Sequence, residues 1–158
     1  MATLTVTHTE SITLDAGSGA ETRGSTNALA ITGINEIYER TVTCVTGQTT
    51  TIASFGTHAH SAANNIDTAD VRYVRVTNLS LSGAPKTLEL GIGLGATAYA
   101  VTLKFGESHV LGSASTLGLA TDANNTPPVT GTITDLTSIT VRNDSGTDTP
   151  VELFIAAV

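Results

Sequence analysis

Ile37-Tyr38-Glu39-Arg40-Thr41-Val42-Thr43-Cys44-Val45-Thr46 is the stretch that decides the fold class. Its side chains alternate. Tyr38, Arg40, Val42 and Cys44 fall on one side, and Ile37, Glu39, Thr41, Thr43 and Val45 on the other, the period of two that belongs to a β-strand. Val, Ile and Thr branch at Cβ, which stiffens them in a helix and suits them to a pleated strand. Gly47-Gln48 follows as a turn that allows a positive φ, so residues 49–55 are expected to return as the second strand of a hairpin.

The same pattern repeats downstream. Residues 71–79 form a strand with Val74 and Val76 on one face, Ser82-Gly83-Ala84-Pro85 turns the chain, and residues 87–92 come back. Tyr99, Val101, Leu103 and Phe105 share one face of the next strand; Gly106-Glu107 breaks it and residues 108–111 resume. Residues 58–68 are polar and Asn-rich, a surface loop, and residues 112–131, with Pro127-Pro128, read as an irregular excursion. Residues 137–141 and 150–157 close the chain as a last hairpin around Asp144-Ser145-Gly146-Thr147-Asp148. No window sustains a 3.6-residue apolar period. About eight short strands between turn signals predict an all-β chain, an antiparallel β-sandwich of jelly-roll-like type.

Two segments echo each other. Val74-Arg75-Val76-Thr77-Asn78-Leu79-Ser80 precedes Leu88-Glu89-Leu90-Gly91-Ile92, and Ile139-Thr140-Val141-Arg142-Asn143-Asp144-Ser145 precedes Val151-Glu152-Leu153-Phe154-Ile155. Each is strand, Asn/Ser turn and strand, with Glu at the same place in the return. One reading is a duplicated hairpin with a copy in each sheet; the other is that hairpins of any sandwich converge on such a pattern.

Upstream, Thr3-Leu4-Thr5-Val6-Thr7-His8 and Ser11-Ile12-Thr13-Leu14 alternate, and Asp15-Ala16-Gly17-Ser18-Gly19-Ala20 reads as a loop. Residues 1–35 are therefore expected as an extended N-terminal arm or edge strands, and residues 36–158 as the sandwich domain. The apolar positions of the arm, flanked by Thr, have too little company to be buried alone, so a neighbouring subunit is their expected partner.

Composition narrows the function. Of 158 residues only 13 % are charged while 40 % are hydrophobic, about half the charged share of an ordinary soluble domain, which suggests a surface covered by other protein. The 7 basic residues are scattered against 14 acidic ones, for a net charge of −7. A nucleic-acid partner would require clustered cations, and an anionic membrane surface would be repelled. The first residues lack the charged n-region and apolar core of a secretion signal, and no run approaches the ~18 apolar residues of a membrane-spanning helix. Cys44 is the only cysteine, so no internal disulfide forms. Synthesis and assembly in a cytosol are the expectation.

No catalytic constellation emerges. A Gly-x-Ser-x-Gly elbow, a phosphate loop and a dinucleotide fingerprint are all missing. Cys44 sits mid-strand, where a free cysteine acts as a small apolar residue. His58-Ala59-His60 has the i, i+2 spacing that places two imidazoles on one face of an extended segment, and His109 is a third candidate. Three such sets meeting at a symmetry axis would hold a divalent ion, but no carboxylate adjoins the pair. Asp67, Asp70, Asp122, Asp144 and Asp148 follow no Ca²⁺-loop pattern. Glu89 and Glu152 would serve glycoside hydrolysis only in a cleft with aromatic platforms, and the chain has no Trp, three Tyr and three Phe. Asn78, Asn124 and Asn143 open Asn-x-Ser/Thr triplets and read as turn residues. The expectation is a non-enzyme with no cofactor and no metal.

Val71-Arg72-Tyr73-Val74-Arg75-Val76-Thr77-Asn78-Leu79, Leu88-Glu89-Leu90-Gly91-Ile92, Leu103-Lys104-Phe105-Gly106-Glu107-Ser108 and Val151-Glu152-Leu153-Phe154-Ile155, together with Ile37-Tyr38-Glu39-Arg40 and Thr49-Thr50-Thr51-Ile52, resemble small virion structural proteins of tailed phages, the marine or cyanobacterial ones above all. Phe105 stands where that pattern often places Pro. The resemblance runs over roughly residues 35–157 and rests on structural motifs. It implies a capsid decoration (cement) protein that binds the major capsid protein or another virion protein. The same resemblance leaves open a neck, tail or fibre component, and a carbohydrate-binding adhesin-type sandwich is a further alternative. Virion symmetry implies a homo-oligomer, a trimer foremost.

Overall fold

The computed structural model describes residues 1–16, 19–56, 65–80, 87–94, 97–112 and 136–158. The chain divides into two compact units, Met1–Asn35 and Glu36–Val158. The first is a two-stranded antiparallel ribbon of β1 (Ala2–Ala16) and β2 (Gly19–Ile34).

The second unit is an antiparallel β-sandwich. Its strands are β3 (Glu36–Cys44), β4 (Gln48–Gly56), β5 (Asn65–Asp67), β6 (Val71–Asn78), β7 (Leu88–Leu94), β8 (Thr97–Leu103), β9 (Ser108–Gly112), β10 (Leu136–Asn143) and β11 (Thr149–Ala157). One sheet runs β3-β11-β6-β9 and the other β5-β4-β10-β7-β8. Every neighbouring pair is antiparallel except β4 with β5.

Alternation builds the core. In β11, Val151, Leu153 and Ile155 are buried, while Pro150, Glu152 and Phe154 turn to the other face. Val74 and Val76 of β6, Leu88, Leu90 and Ile92 of β7, and Ile139 and Val141 of β10 join them with Ile52, Leu103 and Leu111 in one apolar cluster contributed by both sheets. The facing of β3 is the one its sequence dictates: Cys44, Val42, Arg40 and Tyr38 lie opposite Thr149, Val151, Leu153 and Ile155. Cys44 is fully buried, and Ile37, on the other face, is 58 % exposed.

The expected hairpins are corrected. β3 and β4 do not pair, nor do β6 with β7 or β10 with β11; in each case the chain crosses to the opposite sheet. A glycine at positive φ, here Gly47 at 76°, serves a hairpin and an inter-sheet crossing alike. The choice is made by burial: the crossing turns both flanking strands toward the same core. Likewise, the loop expected over residues 58–68 contains β5, parallel to the end of β4. Most of the excursion expected over residues 112–131 lies outside the described residues.

The antiparallel pairs nest. β7 pairs with β8, β6 with β9, β4 with β10, and β3 with β11, so the sandwich is one long hairpin wrapped into two layers. With β5 left aside, replacing β3, β4, β6 and β7 by β8, β9, β10 and β11, and the reverse, converts the row β3-β11-β6-β9 into β4-β10-β7-β8 read backwards. The echo in the sequence falls on this relation. Rather than one copy per sheet, each copy crosses between sheets, in opposite senses.

The correspondence extends to single bonds. Asn78 and Asn143, both fully buried, end equivalent strands. Asn78 Nδ2 donates to the Leu103 carbonyl at the end of β8 (3.1 Å), and Asn143 Nδ2 to the Cys44 carbonyl at the end of β3 (2.7 Å). Each Oδ1 accepts the N–H two residues on, from Ser80 and Ser145, both at 3.0 Å. Each backbone carbonyl accepts from a turn glycine, Gly106 at 2.8 Å and Gly47 at 2.6 Å.

Candidate interaction surface

The ribbon offers long strand edges that pair with no further strand among the described residues. β1 and β2 are 15 and 16 residues long, each roughly 50 Å at the usual rise per residue, and no third strand pairs with either among the described residues. Its register separates two faces. One carries Thr3, Thr5, Thr7, Thr9 and Ser11 beside Thr32, Ala30, Ala28, Thr26 and Gly24, all of them exposed. The other carries Leu4, Val6, His8, Glu10 and Ile12 beside Ile31, Leu29, Asn27, Ser25 and Arg23. Ile12 there is 55 % exposed, whereas Ile31 is 2 % exposed and Leu4, Val6 and Leu29 are half-buried, so the expectation that no apolar position of the arm is buried without a neighbouring subunit is corrected at Ile31.

Such an element is unusual in physical terms. A two-stranded hairpin is marginal in water, because its hydrogen bonds barely offset the backbone entropy it freezes. Thr supplies β-propensity and little apolar area. Charged residues, the common means of keeping exposed strands apart, are missing from residues 2–9. β1 was legible from its alternation. β2 was not, because Gly24, Ser25 and Asn27 interrupt its apolar positions and only pairing with β1 makes it a strand.

Among the described residues the chemistry-bearing candidates lie on separate strands and turns of the sandwich unit. Cys44 is buried, and burial raises its thiol pKa despite a hydrogen bond with Thr50 that works the other way. His58 and His60 lie outside the described residues. His109 of β9 faces the core side, edge-on to Tyr99 of β8 with ring centroids 6.4 Å apart, and its Nε2 is buried without a hydrogen-bond partner. Burial lowers its pKa from 6.5.

Among the described residues no three His, Cys, Asp or Glu side chains gather as a metal site. Glu89 and Glu152 alternate with core residues on β7 and β11, in different sheets, so they point away from the core on opposite sides. Glu152 pairs with Arg75 at 2.7 Å, and the Arg75 guanidinium lies over the Phe154 ring, 5.5 Å from its centroid. Tyr73 meets the same ring edge-on at 6.1 Å.

The loop carboxylates support turns. Asp67 accepts the Ala69 N–H and Asp148 the Thr46 N–H, each at 3.0 Å, and Asp144 pairs with Arg142. Asp122 and Asn124 lie outside the described residues. Sequence reading identified Asn78 and Asn143 as turn residues and missed the bonds that tie them to the opposite sheet.

No family model, curated protein or solved structure matches the chain.

Proposed function

We propose that this protein is a structural subunit of a tailed-phage virion, a capsid decoration (cement) protein that stabilises the shell through contacts with its own copies and with the major capsid protein. The observation that carries the reading is the Met1–Asn35 ribbon: paired strands of 15 and 16 residues, exposed on the threonine face and bare of charge over residues 2–9. An element of this kind acquires stability when another subunit covers it, by strand addition or by packing on its face.

Two further features support the reading. The nested strand order, β3-β11-β6-β9 and β5-β4-β10-β7-β8, supports reading the β-sandwich as jelly-roll-like, a fold common among capsid and lectin domains. The sparse charge suits a surface meant to be covered.

The test is addition of the purified protein to shells assembled without it. Saturable binding at one fixed ratio to the capsid subunit, with a rise in the temperature at which shells rupture, is expected. Absence of binding to shells, with the protein found in a few copies at one vertex of the particle, would move it to the neck, tail or fibre. Absence from particles altogether would overturn the virion reading.

A further inference from the structure

We infer that the edge of β8, unpaired among the described residues, receives residues 3–9 of the ribbon of a second copy, as an added parallel strand. The inference rests on the assembly reading above and names the surface on which the ribbon docks.

Strands at the border of a sheet present unpaired N–H and C=O groups, and folded proteins blunt them with charge, shortness, bulges or a covering segment. Three borders of this sandwich are blunted. β3 carries Glu36, Glu39 and Arg40, and Arg40 reaches inward to the other sheet. β9 has five residues. β4 is covered at its end by the three-residue β5. Its register with β10 skips Ile52, and the Arg40 guanidinium donates to the carbonyl freed there.

Among the described residues β8 has none of these devices. Thr97-Ala98-Tyr99-Ala100-Val101-Thr102-Leu103 contains no charge, proline or glycine, and all seven residues stay in register with β7 without a bulge. Ala98, Ala100 and Thr102 are exposed, and Tyr99 is 39 % exposed. It is a regular template of roughly 23 Å.

The ribbon supplies the matching strand. Thr3-Leu4-Thr5-Val6-Thr7-His8-Thr9 is also seven residues without a carboxylate, Lys or Arg, so neither side loses charge hydration on contact. Laid parallel, residues 3–9 run beside residues 97–103, and the next residue on each side completes the match: Glu10 comes opposite Lys104, both exposed. A parallel addition already occurs at the other border of this sheet, where β5 lies along β4. A ribbon and an edge on every copy make a head-to-tail contact, which closes into a ring when the rotation allows.

Sedimentation velocity of the full-length chain over a range of concentrations tests this, using Ala100→Lys, Glu10→Lys, Lys104→Glu and the last two combined. Ala100→Lys, on an exposed position, is expected to weaken self-association about tenfold through the charge it places on the edge. Glu10→Lys and Lys104→Glu each weaken it about fivefold, and the combined reversal restores it. Thermal unfolding of dilute monomer checks that all four variants remain folded. Association of the parent chain that none of the variants alters overturns the β8 contact and leaves the assembly reading standing. Weakening by Ala100→Lys without rescue by the double reversal overturns residues 3–9 as the occupant. A parent chain that is monomeric throughout overturns the inference and removes self-association from the assembly reading.

Discussion

Asn143 is fully buried and fully engaged: its amide donates to the Cys44 and Thr147 carbonyls and accepts the Ser145 N–H, with no solvent reaching it. Asn143→Ala leaves those three backbone groups without that partner. At about 1–3 kcal/mol for a buried group stranded in this way, a loss of about 3 kcal/mol is expected from urea unfolding. Asn78→Ala is expected to lose about 2 kcal/mol by the same mechanism; equal midpoints for parent and Asn143→Ala would contradict the role. The turn-forming character of both residues was legible, because Asn followed two positions on by Ser is a local signal. Their reach to Leu103 and Cys44 was not, since those partners lie 25 and 99 residues away in sequence. His109 carries a pH signature with a definite sign. Burial lowers its pKa below 6.5, so the folded chain binds fewer protons there than the unfolded chain. Its contribution to stability is complete above 6.5 and declines as the pH falls through 6.5 toward the lowered value. Unfolding midpoints at about pH 7.5 and about pH 5.5 should differ more for the parent than for His109→Phe; identical differences would contradict this.

At the level of elements, the period-two alternation made nearly every strand of the sandwich readable, down to the facing of Tyr38, Arg40, Val42 and Cys44. Pairing was not readable. Gly47 and Gly106 mark sharp turns, but a turn does not specify whether the next strand lies beside its predecessor or across the core from it. The two turns also provide a test of the internal correspondence. Gly47 and Gly106 have φ of 76° and 71°, and an added Cβ would meet nothing within 4 Å at either. The cost of Gly47→Ala and Gly106→Ala is thus the backbone term alone, about 1 kcal/mol each. Equal shifts in chemical denaturation are expected, and a difference of about 1 kcal/mol or more would show that the turns are not equivalent. β2 was hidden for a different reason, since its pairing with β1 and not its own pattern defines it.

For the whole molecule, the two units divide the work. The sandwich carries the apolar cluster, whereas the ribbon has length, main-chain hydrogen-bonding groups and an exposed threonine face, with no third strand paired to it among the described residues. Low charge, legible at once in the composition, belongs with that division. The central claim is that the ribbon is completed by another subunit, and amide hydrogen exchange read on ribbon peptides is its most direct measurement. Residues 3–13 and 23–32 are expected to exchange slowly at high protein concentration or on assembled shells, and to exchange fast in the dilute 16.1 kDa monomer. Protection that is the same in the dilute monomer and in every assembled form would contradict the account.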